Sequence, residues 1–402
     1  MKKFLEKYQF DRADLLYLIA MTAIGVAVRL ILRVVTTADW QMYWDPWLAG
    51  LKEMGFSYLA TDLYDYTPTF VYILWVISKL PVNPMTAYKG IHIAIDFIAA
   101  VVMGKIVLQE TGSKMKGICS YGLMLIVPTI WANSALWAQC DIIFMTLLLL
   151  CFYYLFQDRP CLAMFFYGLS FVFKLQTLFV FPFLVILWVN KKVKLQHFLW
   201  IPVLYFLSII PAWIAGRPLG ELIGIYMAQG AQDVWCLSLK WPNVYMLIGN
   251  LHFLLEYADA GTWLILGILM CIMFAMAQKK YKITNQFIVQ MALFFAILCP
   301  YFLPHMHERY GCVADILAII YAMMNVKRFY VPMLQIMLSF NSYMAYLSHF
   351  GFKEPAIPYG YWALVELGLL IVVGLDIWNY MRNPDNQLPD DRLPVEAGKE
   401  AA

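Results

Sequence analysis

The chain reads as an all-α polytopic membrane protein with about twelve transmembrane helices, and three observations predict it. Hydrophobic residues make up 62% of the 402 and charged ones only 14%, against roughly a quarter charged in an average soluble domain. Apolar stretches of helix length recur almost from end to end, with no intervening segment long enough for a soluble domain. Lysine and arginine gather in alternate short loops. The net charge of +3 is small and unclustered, which argues against a nucleic-acid partner.

A bilayer core of about 30 Å takes roughly 20 apolar residues per helix. The first run, 14–35, follows Asp11, Arg12 and Asp14 and exceeds a signal-peptide core, so it is expected to stay as an uncleaved span. Spans 88–109, 117–134 and 141–157 follow. Runs 161–173 and 178–190 are too short to stand alone, so 161–190 is expected to form a hairpin with Phe173-Lys174-Leu175-Gln176 at its tip. Irregular backbone at membrane depth must be buried by protein or line a wet cavity. Spans 197–215, 262–278, 285–303, 310–326, 330–349 and 358–381 complete the twelve.

With the N-terminus inside, seven inner segments carry the basic excess: Lys2, Lys3, Lys7 and Arg12; Lys105, Lys114 and Lys116; Arg159; Lys191, Lys192 and Lys194; Lys279, Lys280 and Lys282; Lys327 and Arg328; and Arg382. Residues 1–381 then form a single domain with long outer loops at 36–87 and 216–261. Apolar-aromatic stretches 46–54 and 68–80 of the first loop are expected to lie flat as interfacial helices. Residues 382–402, rich in Pro, Asp and Glu from Asn383 onward, are expected to form a disordered cytoplasmic tail. Eight scattered cysteines show neither a zinc spacing nor a disulfide framework.

Ionisable groups within or beside spans are costly and by default mark function. They collect toward one membrane face: Arg29, Arg33, Asp39, Asp45, Asp62 and Asp65; Lys89, His92 and Asp96; Gln139 and Asp141; Lys174 and Gln176; His305, His307, Glu308 and Arg309. Lys89, His92 and Asp96 share one helix face, as either a polar stripe between helices or part of a cavity. Asp141 opens a span and suits an N-cap as well as a site. Asp39 and Asp45 are either solvated loop acids or site residues. His305 and His307 alternate, but spacing implies no third metal ligand.

These positions carry a family resemblance. Ala38-Asp39-Trp40, Asp45-Pro46-Trp47 and Gly55, then Tyr64-Asp65-Tyr66-Thr67-Pro68, stand in the first loop. Trp137-Ala138-Gln139-Cys140-Asp141 is similar to a WGQxD motif; Phe173-Lys174-Leu175-Gln176 with Pro182 and Pro304-His305-Met306-His307-Glu308-Arg309-Tyr310 follow. In this order they resemble the GT-C superfamily of membrane glycosyltransferases, which use polyprenyl-phosphate sugars. The chain departs at Ala38 and Ala138, where Gly is usual, and at Thr69, where a second Pro is common.

The resemblance implies a GT-C-like bundle in a bacterial plasma membrane. It would transfer a monosaccharide from a polyprenyl-phosphate donor to a glycan or lipid-linked acceptor hydroxyl on the outer face, with inversion and without a cofactor. A carboxylate must take the hydroxyl proton; Asp39 is preferred over Asp45 because it lies closest to the end of span one. Lys174, His307 and Arg309, with Lys89, Arg29 and Arg33 as further candidates, would neutralise the leaving phosphate, making a metal unnecessary. Asp45, Asp65, Gln139, Asp141, Gln176, His305 and Glu308 would bind sugar or acceptor, or order these groups. A flippase or transporter of lipid-linked sugars, or a polymerase, is the alternative. A transporter would place its site near mid-membrane between repeated halves, and no repeat is visible.

Overall fold

The computed structural model describes residues 10–64, 66–231, 235–249, 252–278, 281–353 and 357–388. Helix occupies every one of the twelve intervals: α1 (Arg12–Leu32), α4 (Pro84–Thr111), α5 (Lys114–Ile126), α6 (Asp141–Leu155), α7 (Pro160–Phe173), α8 (Phe181–Val189), α9 (Trp200–Ala215), α11 (Ala258–Ala277), α12 (Asn285–Phe302), α13 (Cys312–Met324), α14 (Tyr330–Leu347) and α15 (Tyr359–Arg382). The first loop adds α2 (Asp45–Met54) and α3 (Pro68–Ser78), matching the two stretches expected to be helical there, and the second adds α10 (Leu219–Gly230). Among the described residues, six helices are long and apolar enough to cross a membrane, or seven if the bent pair after Lys114 is one span. Their outward faces carry Ile31, Trp263, Phe274 and Trp378 in the open. Apolar exposure on that scale requires lipid rather than water around it, so the protein is an all-α membrane protein.

Local chemistry sets the helix boundaries. Asp11 and Asp14 form a reciprocal capping box at the start of α1. Asn83 and Pro84 open α4, which closes at Gly112 with a left-handed φ of 63°. In α5, Val127 is forced extended before Pro128, breaking the span with a 45° bend. The carbonyls freed there find side chains: Arg29 Nη1 donates to Leu125 O at 2.9 Å and Trp131 Nε1 to Ile126 O at 3.1 Å. Gly104 and Gly117 let α4 and α5 touch, since a Cβ on either would meet backbone at about 3 Å.

α12 is the hub, 78% of its apolar window being buried, against 11% for α1 and α11. It packs on α13 and α15, while α4 packs on α5 and α6, and α7 on α6 and α9. A second, aromatic core built on Trp44, Trp47, Tyr58, Tyr64, Phe70 and Tyr88 holds the first loop on α4. β1 (Ser238–Leu239) pairs in parallel with β2 (Met306–His307), tying the second loop to the segment after α12.

Helix ends gather in two layers. Lys116 reaches Met323 O at 2.8 Å and Asn285 reaches Glu110 at 2.9 Å at one end, whereas Asp39, Trp137 and Tyr346 meet at the other. The structure corrects the tail reading: Arg382 ends α15, and Pro384–Asn386 form a turn whose Asn386 O accepts from Lys282 N at 2.8 Å. Residues 389–402 of that tail lie outside the described residues.

Candidate active site

The site is assembled on interrupted helices. Past the Pro128 break the chain runs through Pro128–Trp131 into a π-helix, Ala132–Trp137, and ends at Ala138 in left-handed geometry (φ 66°). The last carbonyls of a helix lack partners in their own chain segment; here three are capped from outside. Lys89 Nζ donates to Leu136 O (3.1 Å), Thr37 Oγ1 to Trp137 O (2.9 Å) and Trp44 Nε1 to Ala138 O (2.9 Å). Ala138 stands in a region of positive φ that glycine adopts without strain and that costs other residues energy.

The caps hold Trp137, Gln139 and Asp141 against the first loop. Asp39 precedes a second π-helix, Trp40–Trp44. Its Oδ1 accepts from Tyr346 Oη at 2.6 Å, and its Oδ2 accepts from Trp137 Nε1 at 2.9 Å and from Gln139 Nε2. The Asp39 amide donates back to Tyr346 Oη at 3.0 Å. Trp137 stacks on Tyr346 with ring centroids 4.0 Å apart.

A charged chain continues from there. Arg309 Nη1 donates to Gln139 Oε1 at 2.6 Å and lies 3.7 Å from Asp141 Oδ2. Asp141 Oδ1 pairs with Lys174 Nζ at 2.7 Å, its Oδ2 accepts from Asn133 at 2.7 Å, and Lys174 also donates to Tyr66 Oη at 3.1 Å. Lys174 stands in extended backbone between α7 and the 3-10 turn Leu175–Val180, so the expected hairpin tip is a buried break. Burial disfavours the Arg309 charge, but Asp141 and the neighbouring Tyr66, Asp39 and Glu308 more than offset this and hold it ionised. Burial lifts the Glu308 carboxyl above the usual range, opposed by His307 and Arg309.

Asp39, Gln139, Lys174, Gln176, His307 and Arg309 line one cavity of about 150 Å³. Its other wall is aromatic, formed by Tyr43, Trp47, Tyr66 and Phe173. Gln176, Gln229, His307 and Tyr310 also border a second space of about 370 Å³, lined mainly by apolar residues including Leu178, Phe179, Ile265, Leu266 and Leu269. A polar chamber thus shares Gln176, Gln229, His307 and Tyr310 as lining with an apolar groove beside α11.

Several sequence-selected residues lie elsewhere. Lys89 is a correction: its Nζ donates to Val35 O (2.6 Å) and Leu136 O, so it ties two helix ends and does not line the cavity. Arg33 is exposed at the end of α1 and does not line the cavity. Asp45 is exposed at the start of α2 and does not line Asp39's chamber. His305 borders only the apolar groove, with Nδ1 2.6 Å from Cys236 O. Glu308 sits 3.8 Å from His307 without lining the chamber. Asp65 lies outside the described residues. Arg29 and Asp96 form a buried 2.6 Å ion pair joined by Ser134, which is structural.

The residues not singled out are Tyr346, Asn133, Gln229 and the hydrogen-bonding side chains of Trp137 and Tyr66. Trp137 and Tyr66 stand inside the quoted motifs and were legible there. Tyr346, separated from Asp39 by 307 residues, carries no signal in an aromatic-rich span. Set against known proteins, the chain matches no family model and no curated protein sequence.

Proposed function

We propose that this chain is a membrane glycosyltransferase of GT-C type, transferring a monosaccharide from a polyprenyl-phosphate donor to a hydroxyl of a glycan or lipid-linked acceptor, with inversion. The observation that carries the reading is the meeting of Asp39 with Lys174, His307 and Arg309 around one chamber that adjoins an apolar groove. A lipid-phosphate sugar has that division: an isoprenoid tail suited to the groove, a phosphate suited to the cations, and a pyranose suited to a chamber with one aromatic and one amide-bearing wall. In this reading all twelve helices cross, both termini are cytoplasmic, and the chamber faces outward from a bacterial plasma membrane.

The acceptor oxygen attacks the anomeric carbon while Asp39 takes its proton. The bond from that carbon to the phosphate oxygen breaks, and its electron pair leaves on the phosphate. Lys174, Arg309 and His307 stabilise the developing charge most strongly because the chamber excludes much of the water. Gln139 couples donor to base, since its amide nitrogen holds Asp39 and its amide oxygen holds Arg309. A phosphate that draws Arg309 toward itself loosens Gln139 and releases one of the donors quenching Asp39.

The test is incubation of purified protein with a panel of radiolabelled polyprenyl-phosphate sugars and lipid-linked glycan acceptors. One added sugar of inverted anomeric configuration is expected. A ladder of added units marks a polymerase, and movement of lipid-linked sugar across vesicles without any transfer overturns the reading in favour of a flippase.

A further inference from the structure

A groove of about 570 Å³ lies between α1, α4 and α5, at the opposite end of the bundle from the chamber. α5 packs on both of the other helices, closely on α4 where Gly104 meets Gly117. Leu18 of α1, Val101 and Leu108 of α4, and Ile118 and Tyr121 of α5 give the groove apolar walls. One turn beyond Leu18, the Thr22 and Tyr121 hydroxyls bond at 2.7 Å and tie α1 to α5. Two lysines, Lys105 and Lys114, complete the lining.

The two lysines differ in what answers their charge. Lys114 pairs with Asp14 and lies 3.4 Å from Asp11. Lys105 is exposed and, among the described residues, makes no hydrogen bond or ion pair. It shares a lipid-facing stripe of α4 with Ile98 and Val101, which are 53% and 46% exposed. Gly112 caps α4 seven residues later, which puts the Lys105 backbone about 10 Å short of the helix end. A lysine stem can snorkel toward the headgroups, but its ammonium still needs a partner there. The nearest acid along α4, Glu110, is turned away to accept from Asn285 Nδ2 at 2.9 Å, and Asp11 and Asp14 are engaged by Lys114. The counter-ion must therefore come from outside the chain, and in a groove with apolar walls it must carry hydrocarbon. A phospholipid phosphate meets both conditions, and basic pockets between membrane helices hold such headgroups. A zwitterionic lipid suits the groove less, because its own ammonium competes with Lys105 for the phosphate.

We propose that this groove is a binding site for one anionic phospholipid, with the phosphate on Lys105 and an acyl chain along Val101, Leu18 and Tyr121. The site lies apart from the chamber, so it stands independently of the glycosyltransferase reading, and its test needs no transfer assay.

The experiment is native mass spectrometry with parallel thermal unfolding of the full-length purified protein in detergent. Phosphatidylglycerol is added against phosphatidylcholine of the same acyl chains, with inorganic phosphate as a third arm. One phosphatidylglycerol should stay bound to the wild type, and the unfolding midpoint should rise with it on the order of 2 °C per tenfold increase above the dissociation constant, more than with either other arm. Lys105→Met leaves the stripe apolar and should reduce the phosphatidylglycerol response to that of phosphatidylcholine. Lys79→Met removes the same charge from the end of α3 and should leave the response intact. Leu18→Trp fills the groove from the α1 side and should release the lipid without touching a charge, which keeps the test open if Lys105→Met fails to fold. Equal wild-type responses to the two lipids overturn the proposal, as does an equal response to inorganic phosphate, or full phosphatidylglycerol retention in folded Lys105→Met or Leu18→Trp protein.

Discussion

Asp39→Asn separates the role of the Asp39 carboxylate from its place in the fold. Wild-type Asp39 accepts from Trp137 and Gln139 on Oδ2, accepts from Tyr346 on Oδ1, and donates its amide to Tyr346 Oη. Asparagine fits this set when its oxygen takes the Oδ2 position, leaving Nδ2 to face Tyr346. The tyrosine hydroxyl then turns its hydrogen away and accepts from Nδ2, as its second lone pair allows. Trp137 and Gln139 keep their acceptor while the Tyr346 hydroxyl hydrogen loses its own, so the unfolding midpoint should fall only modestly. Losing a hydrogen bond to a charged acceptor limits the stability change to about 1.5–3 kcal/mol even if the substitute bond fails. Catalysis behaves differently, because an amide cannot take the acceptor proton. A positioned general base contributes roughly 10²–10⁴-fold, or about 3–5 kcal/mol of barrier, and kcat for sugar transfer should fall by that factor with KM for the donor nearly unchanged. The assay is single-turnover transfer from a radiolabelled donor, with thermal unfolding in parallel. Wild-type turnover in a folded Asp39→Asn protein refutes the assignment of the base.

Other substitutions address neighbouring claims. Lys89→Met strips the caps from Val35 O and Leu136 O and should destabilise the protein by about 1–3 kcal/mol; thermal unfolding reads this, and a selective rise in donor KM with unchanged stability would return Lys89 to the phosphate site. Leu269→Trp fills the groove beside the chamber and should raise KM for long-chain donors while sparing short-chain analogues; equal effects on both chain lengths would remove the groove from tail binding. Glu308→Gln tests the pH dependence. Burial raises the Glu308 carboxyl, so the wild type is disfavoured increasingly as pH climbs through the ordinary carboxylate range and fully above the folded value. The variant's midpoint should therefore exceed wild type near pH 8 and converge with it near pH 4, and an advantage growing toward acid would contradict that sign.

Part of the site was legible because an ionisable residue at a span end is unusual whatever its purpose. That signal found Asp39, Lys174 and Arg309, and it found Lys89, Arg29 and Asp96 equally well. The two groups differ only in what their polar atoms meet. Lys89 reaches a carbonyl orphaned by a π-helix and another just past α1, and Arg29 reaches a carbonyl orphaned by Pro128 together with Asp96. Neither partner can be named from linear order, since the orphaned groups are backbone atoms that every residue possesses.

By itself, the amino-acid order determined that the chain lives in a membrane, which stretches of it are helical, and that a hairpin tip near Lys174 had to be covered. Hydropathy and the capping residues are properties of neighbours along the chain, and they act before any long-range contact forms. Only tertiary structure decided between Asp39 and Asp45 for a place on the chamber, brought Tyr346 onto Asp39, and sent Lys89 to cap a helix. Those outcomes turn on which buried polar atoms lie within about 3 Å of one another, a distance set by helix packing and by the bends at Pro128 and the two π-helices.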